Sequence, residues 1–309
     1  MSWAERAYEV AVRAGAPVLR AASALDEKLA RGVAGRRHAV GHLERWAARC
    51  REAARPLLWF HAPSAGEALM AQATIEAVRC LRPEAQIAFT YFSPSAERIV
   101  PRISADVSGY LPWDVTREAS RAVDALSPSA IAFVRTDVWP VLARVAHGRG
   151  VALALINAVL AERSSRLRPV ARVLLEPAYA RLDAVGAVSD RDASRFESLG
   201  VPNSRVHVTG DARFDQVLRR REAGDRDSSL RALLREEVPV LVAGSTWPRD
   251  EDVLIDAFTQ VRRCMPVRLV LVPHEPALSH IDALESRLDR AGVRGERLSH
   301  AERHGRAES

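Results

Sequence analysis

Residues 57–81 read LLWFHAPSAGEALMAQATIEAVRCL. An unbroken apolar run, Leu57 to Phe60, passes through Pro63, Ser64 and Gly66 into a pattern of helical period. A short apolar run bounded by turn residues is a buried strand, and the pattern behind it is a helix laid against that strand. The same unit recurs along the chain. Strands are expected at Leu57–His61, Gln86–Tyr91, Ser108–Leu111, Ala130–Val134, Val151–Ile156, Ala184–Val188 and Val206–Thr209. Helices are expected between them at Gly66–Leu81, Pro94–Ile103, Thr116–Leu126, Trp139–His147, Leu167–Leu182 and Asp190–Leu199. Such alternation with short connections gives an α/β fold, a parallel sheet covered on both faces.

Outward from this block, the segment Arg219–Glu237 is strongly charged and reads as a linker or an exposed helix. The pattern then restarts with strand Val238–Ala243, helix Asp250–Arg263, strand Arg268–Val272 and helix Ala277–Arg290. The expected organisation is an arm over 1–56, a first lobe over 57–218, a linker over 219–237 and a second, partial lobe over 238–309. Two strands are few for a doubly wound lobe, which calls for five or six.

The net charge of +6 is uneven. Residues 1–56 carry 11 basic and 6 acidic side chains, and the rest of the chain nearly balances. Basic character confined to one end argues against a nucleic-acid-binding body and for a localised anionic partner, most simply a membrane surface; a solvated helical extension is the plain alternative. Trp3, Ala7, Val10 and Ala14 share a helical face, and Leu25, Leu29 and Val33 follow at four-residue steps, a pattern that could lie on a membrane. No secretory signal is expected, and no apolar run of this sequence reaches spanning length. Of 45 basic residues only Lys28 is lysine, so arginine as such carries no special weight. Three scattered cysteines without a CxxC pair suggest neither a disulfide framework nor a zinc site.

Several junctions carry polar groups at strand ends, where open α/β sheets bind ligands. Ser64 and Glu67 have the spacing of a capping box, in which the hydroxyl accepts from the Glu67 amide and the carboxylate reaches back. Gly66 between them adds nothing to a helix and leaves room for close approach. Glu67 is therefore either a cap or a carboxylate aimed at substrate. Asp137 in RTDVWP is a helix N-cap or an acid at a strand end. GSTWPRDE, with Gly244, Ser245, Thr246, Trp247 and Glu251, is a helix start whose amides suit an anion. TGDARFD and VPHEP add Arg213, Pro273 and His274; one histidine beside Glu275 is no metal site.

Taken in order, HAPSAGEA, YLPWD, RTDVWP, INAVLAERS, VTGDARFD, GSTWPRDE and LVPHEP resemble the 3-deoxy-D-manno-octulosonic acid (Kdo) transferases of lipopolysaccharide synthesis. The resemblance spans about residues 57–276 and extends to LDEKLARGVAGRRH in the arm, which looks like that family's juxtamembrane start. It implies a GT-B fold with two Rossmann-like lobes, and transfer of Kdo from CMP-Kdo to a hydroxyl of the lipid A precursor with inversion. No cofactor and no metal are implied, and the enzyme would work peripherally on the cytoplasmic face of the bacterial inner membrane. Glu67 matches the family's general base and Asp137 a second carboxylate, one methylene shorter than the usual glutamate. Ser64, Gly66, Asn157 and Ser164 fall on the acceptor side. Arg213 (usually lysine), Gly244, Ser245, Thr246, Trp247, Glu251, Pro273 and His274 fall on the donor side. Val159 and Ala161 depart from the family's Arg and Ser, and its glycine-rich donor element G-G-H-N-P-L-E does not occur. The expectation is a complete acceptor lobe with half a donor lobe. The alternatives are an acceptor-binding fragment without turnover, or a GT-B enzyme using another nucleotide sugar.

Overall fold

The computed structural model describes residues 3–224 and 238–300, in two compact units, Met1–Arg219 and Arg220–Ser309. Most of the expected linker, 225–237, lies outside the described residues.

The first unit opens with three helices, α1 (Trp3–Ala22), α2 (Glu27–Arg37) and α3 (Ala39–Cys50). Strand and helix then alternate: β1 (Leu57–Ala62), α4 (Ala65–Leu81), β2 (Gln86–Tyr91), β3 (Val107–Tyr110), α5 (Thr116–Leu126), β4 (Ala130–Val134), α6 (Pro140–His147), β5 (Ala152–Ala158), α7 (Pro169–Tyr179), β6 (Ala184–Ala187), α8 (Asp190–Ser198), β7 (Val206–Val208) and α9 (Ala212–Gly224). All pairings are parallel, and the strand order is β3-β2-β1-β4-β5-β6-β7. The order reverses between β1 and β4, so the crevice outside their carboxyl ends is where a ligand belongs.

The core lies on both faces of this sheet, with Trp59, Phe89, Phe133 and Ile131 sealed within it. Each such side chain contributes about 1.5–3 kcal/mol of burial. The helix expected over Pro94–Ile103 is instead two single 3-10 turns, Pro94–Ala96 and Val100–Arg102. Pro101 explains this: mid-helix it lacks the amide and its ring meets the preceding turn.

Helices α1–α3 do not stand off as an extension. Leu43 of α3 is fully buried in the main core. The Arg51 guanidinium donates to the Leu126 carbonyl (2.8 Å), and the Gln86 carboxamide donates to the Cys50 carbonyl (2.7 Å). The buried Arg36 side chain of α2 lies 3.5 Å from the Phe92 ring centroid, and burial lowers its pKa to about 10. Helix α1 docks through polar groups. Its carboxylates face inward: Glu9 accepts from the Thr116 amide (2.9 Å) and hydroxyl (2.6 Å), and Glu5 meets Arg181 at 2.7 Å. Trp3, Val10 and Val18 face outward.

The second unit contains β8 (Val240–Thr246), α10 (Pro248–Cys264), β9 (Arg268–Pro273) and α11 (Leu278–Arg290), with β8 and β9 parallel.

Candidate active site

Glu67 stands in the first turn of α4, directly behind β1. The capping box expected there does not form, because Ser64 makes no side-chain bond to the helix amides. Its hydroxyl instead donates to Glu67 Oε2 at 2.6 Å. The first amide of the helix, Ala65, is met at 3.4 Å by the Ser95 hydroxyl of the neighbouring turn. Glu67 is half-buried, and no described residue bonds its Oε1. One carboxylate oxygen is thus oriented by a charge-assisted bond, and the other is open to take a proton. An added Cβ at Gly66 would meet no atom within 4 Å, so no packing against the protein requires glycine there.

Asp137 is not a cap either. The N-cap of α6 is Trp139, and the amides of Val141 and Leu142 go to the buried Asp114 carboxylate at 3.1 and 2.8 Å. Burial pushes Asp114 up to about 6, against the pull of those two amides. Since Asp114 closes the helix, Asp137 is left to pair with the Arg166 guanidinium. Burial works to lower the Arg166 pKa, but the bond and charge of Asp137 outweigh it and raise it. Ser164 begins the 3-10 turn that carries Arg166, its hydroxyl 3.4 Å from the Arg166 amide, so it acts by placing that arginine.

Asn157 is buried at the end of β5 with φ +50°, and its side-chain oxygen accepts from the Ala212 amide at 2.9 Å. It fastens the start of α9 to the sheet. Arg213, on that first turn, is exposed and grips Asp211 through Nε (2.8 Å) and Nη2 (2.5 Å). That hydrogen bonding keeps the Asp211 carboxyl below its ordinary range. Behind the edge, His61 is fully buried with Nδ1 3.0 Å from the Thr90 hydroxyl, and burial drops it to about 3, so it stays neutral. Its ring meets Trp139 edge-on at 5.5 Å. His61 and Asp114 lie in the HAPSAGEA and YLPWD stretches without a role legible in the sequence, because only the fold shows that both are buried.

In the second unit the expected donor residues divide. Ser245, at φ +61°, lies 2.7 Å from His274 Nδ1, and the exposed Trp247 stacks on His274 at 4.7 Å. Gly244 is exposed beside them, and an added Cβ there would have open space. Thr246, Glu251 and Pro273 are buried. Glu251 is fully enclosed, 3.1 Å from the Thr246 hydroxyl, 2.9 Å from His280 Nε2 and 3.4 Å from Arg287. A carboxylate so surrounded is an internal anchor and does not present itself to a nucleotide. The Trp247 amide goes to Asp250 at 2.9 Å, which removes one of the amides expected to face an anion.

The model of a protein family described as 3-deoxy-D-manno-octulosonic-acid transferase (kdotransferase) matches residues 38–216, more than half of the chain. The chain belongs to this family. Among named Kdo transferases, the Haemophilus influenzae protein is 25% identical over 227 residues, covering 71% of this chain and 52% of its own length. The Bordetella pertussis protein is 26% identical over 247 residues, covering 76% and 56%. The chain therefore spans about half the length of the curated relatives it matches. Solved UDP-GlcNAc 2-epimerases share the fold. The Neisseria meningitidis enzyme has TM-score 0.57 at 12% identity over 79% of this chain and 74% of its own. The Methanocaldococcus jannaschii enzyme has TM-score 0.56 at 10% identity over 80% and 75%. The Kdo transferase fold of this chain is thus α/β of the GT-B type. The matched stretch takes in Ser64, Glu67, Asp137, Asn157, Ser164 and Arg213 and leaves the second unit outside.

Proposed function

We propose that this chain acts in transfer of Kdo from CMP-Kdo to a hydroxyl of the lipid A precursor, with inversion, and that Glu67 is the general base. The observation that carries this reading is the Glu67 carboxylate itself, fixed by Ser64 through one oxygen and bare at the other, beside the reversal point of the sheet. A sugar hydroxyl is a weak nucleophile until its proton is taken during attack, and a positioned carboxylate supplies about 10²–10⁴-fold. Attack from the side opposite the departing CMP inverts the anomeric centre. Asp137, neutralised by Arg166, shapes the acceptor side without competing as a base. Ser245, His274 and the Trp247 ring are our candidates for the donor nucleotide, with Arg213 a candidate for the leaving phosphate. CMP release that requires both CMP-Kdo and a tetra-acylated lipid A precursor supports this function. Equal release from another nucleotide sugar would point to a different transferase, and acceptor binding without release to an acceptor-binding role alone.

We further propose that the protein sits peripherally on the cytoplasmic face of the inner membrane. Among the described residues no helix is long and apolar enough to cross a bilayer. The outward face of α1, with Trp3, Val10 and Val18 exposed on a basic segment, supports surface attachment to anionic lipid.

A further inference from the structure

Four non-glycine residues of the described chain have positive φ: Ser127 (+42°), Arg135 (+80°), Asn157 (+50°) and Ser245 (+61°). Ser127 closes the C-terminus of α5, a usual place for that conformation. The other three stand at carboxyl ends of parallel strands, and asparagine adopts such angles readily. Arg135 is the conspicuous one. It follows β4 at the reversal point of the sheet, and its backbone is clamped on both sides by β5 and the loop beyond. Its amide donates to Ile156 at 2.8 Å, and its carbonyl accepts from Val159 at 3.0 Å. A long side chain held at +80° costs free energy that glycine would avoid, and such strain concentrates at ligand sites.

The guanidinium is half-buried and reaches the Met70 sulfur at 3.9 Å. Met70 lies one turn beyond Glu67 on the same side of α4, so Arg135 borders the carboxylate's surroundings. Among the described residues Arg135 has no carboxylate partner within ion-pair distance, whereas Arg166 holds Asp137 and Arg213 holds Asp211. Asp137 and Asp211 already have cations of their own, and the Arg135 charge adds to that of Arg213 in lowering the Asp211 carboxyl. An arginine fork on a strained backbone, without a carboxylate within ion-pair distance and set beside Met70, matches an oxyanion bidentately.

We propose that Arg135 recognises an oxyanion, a phosphate or a carboxylate, carried by the substrate on which Glu67 acts. This rests on the reading of the β1/β4 edge as the substrate side. Thermal melts of the full chain test it, with inorganic phosphate and free Kdo as probes at matched ionic strength, on the unaltered chain and on Arg135→Gln, Arg135→Lys and Arg135→Gly. Phosphate stabilises most proteins by exclusion, so the quantity read is the difference between unaltered chain and variant. The expected result is a melting-temperature rise with at least one probe, whose half-point weakens about tenfold or more in Arg135→Gln and less in Arg135→Lys. Arg135→Gly should melt no lower than the unaltered chain without probe and still lose the response. Phosphate alone, or Kdo alone, would name the group recognised. No rise with either probe, or an equal rise in Arg135→Gln, would overturn the proposal. Glu67→Gln keeps the response here even if it abolishes transfer, so failure of the anion site and failure of the proposed reaction are read separately.

Discussion

Glu67 owes its open oxygen to Ser64, which spends its hydroxyl on the carboxylate and leaves the helix amides alone. If Glu67 is the base proposed above, Ser64→Ala loosens it without removing it, and Kdo transfer should fall by roughly tenfold, far less than for loss of the carboxylate. Steady-state rates of the two variants check that ordering. Asp114 offers a test by pH. Its folded value, raised to about 6 by burial, lies above the unfolded one of about 4, so its contribution is complete below about pH 4 and is lost as pH rises through about 6. Melting curves across that window should show the unaltered chain losing stability relative to Asp114→Asn, which cannot titrate. A flat difference would mean that Asp114 titrates alike in the folded and the unfolded chain. At this scale the sequence left the essential question open. The spacing of Ser64 and Glu67 fits a cap and a base equally, and the choice depends on which way one hydroxyl points. The strain at Arg135 leaves no mark in the sequence at all, since backbone angles of a non-glycine residue are decided by the clamp around it.

Elements were far more legible. Gln86–Tyr91, Ala130–Val134 and Thr116–Leu126 appear with the boundaries that their apolar periods set. Strands buried on both faces advertise themselves as unbroken apolar runs. At Pro94–Ile103 the apolar spacing points to a helix that Pro101 prevents. The N-terminal helices are legible as helices, but their docking is not, because it depends partly on buried polar partners that hydrophobic periodicity does not register. Gly35 of α2 shows how close that docking is, since a Cβ there would lie 2.3 Å from the Tyr110 ring. Gly35→Ala should lower stability by about 1–3 kcal/mol, read from denaturant midpoints, because the ring or the helix must move. An unchanged midpoint would show that α2 packs loosely. Deleting these helices would strip Leu43 from the core and leave the Gln86 carboxamide without the Cys50 carbonyl, so a truncation cannot isolate their surface role.

At the scale of the whole molecule, a sheet lobe of the Kdo transferase family carries its own N-terminal helices, with one apolar face turned outward. Replacing Trp3, Val10 and Val18 together by serine should cut flotation with phosphatidylglycerol vesicles while leaving the melt unchanged, since none of the three is buried. Undiminished flotation would assign the exposed face to solvent. The chemistry is decided by one comparison: transfer of Kdo from CMP-Kdo to a tetra-acylated lipid A precursor by this chain and by its Glu67→Gln variant, with thermal melts alongside. We predict a rate at least about a hundredfold lower in the variant with the melt intact. Equal transfer by both proteins would contradict the account and leave Glu67 as no more than the partner of Ser64.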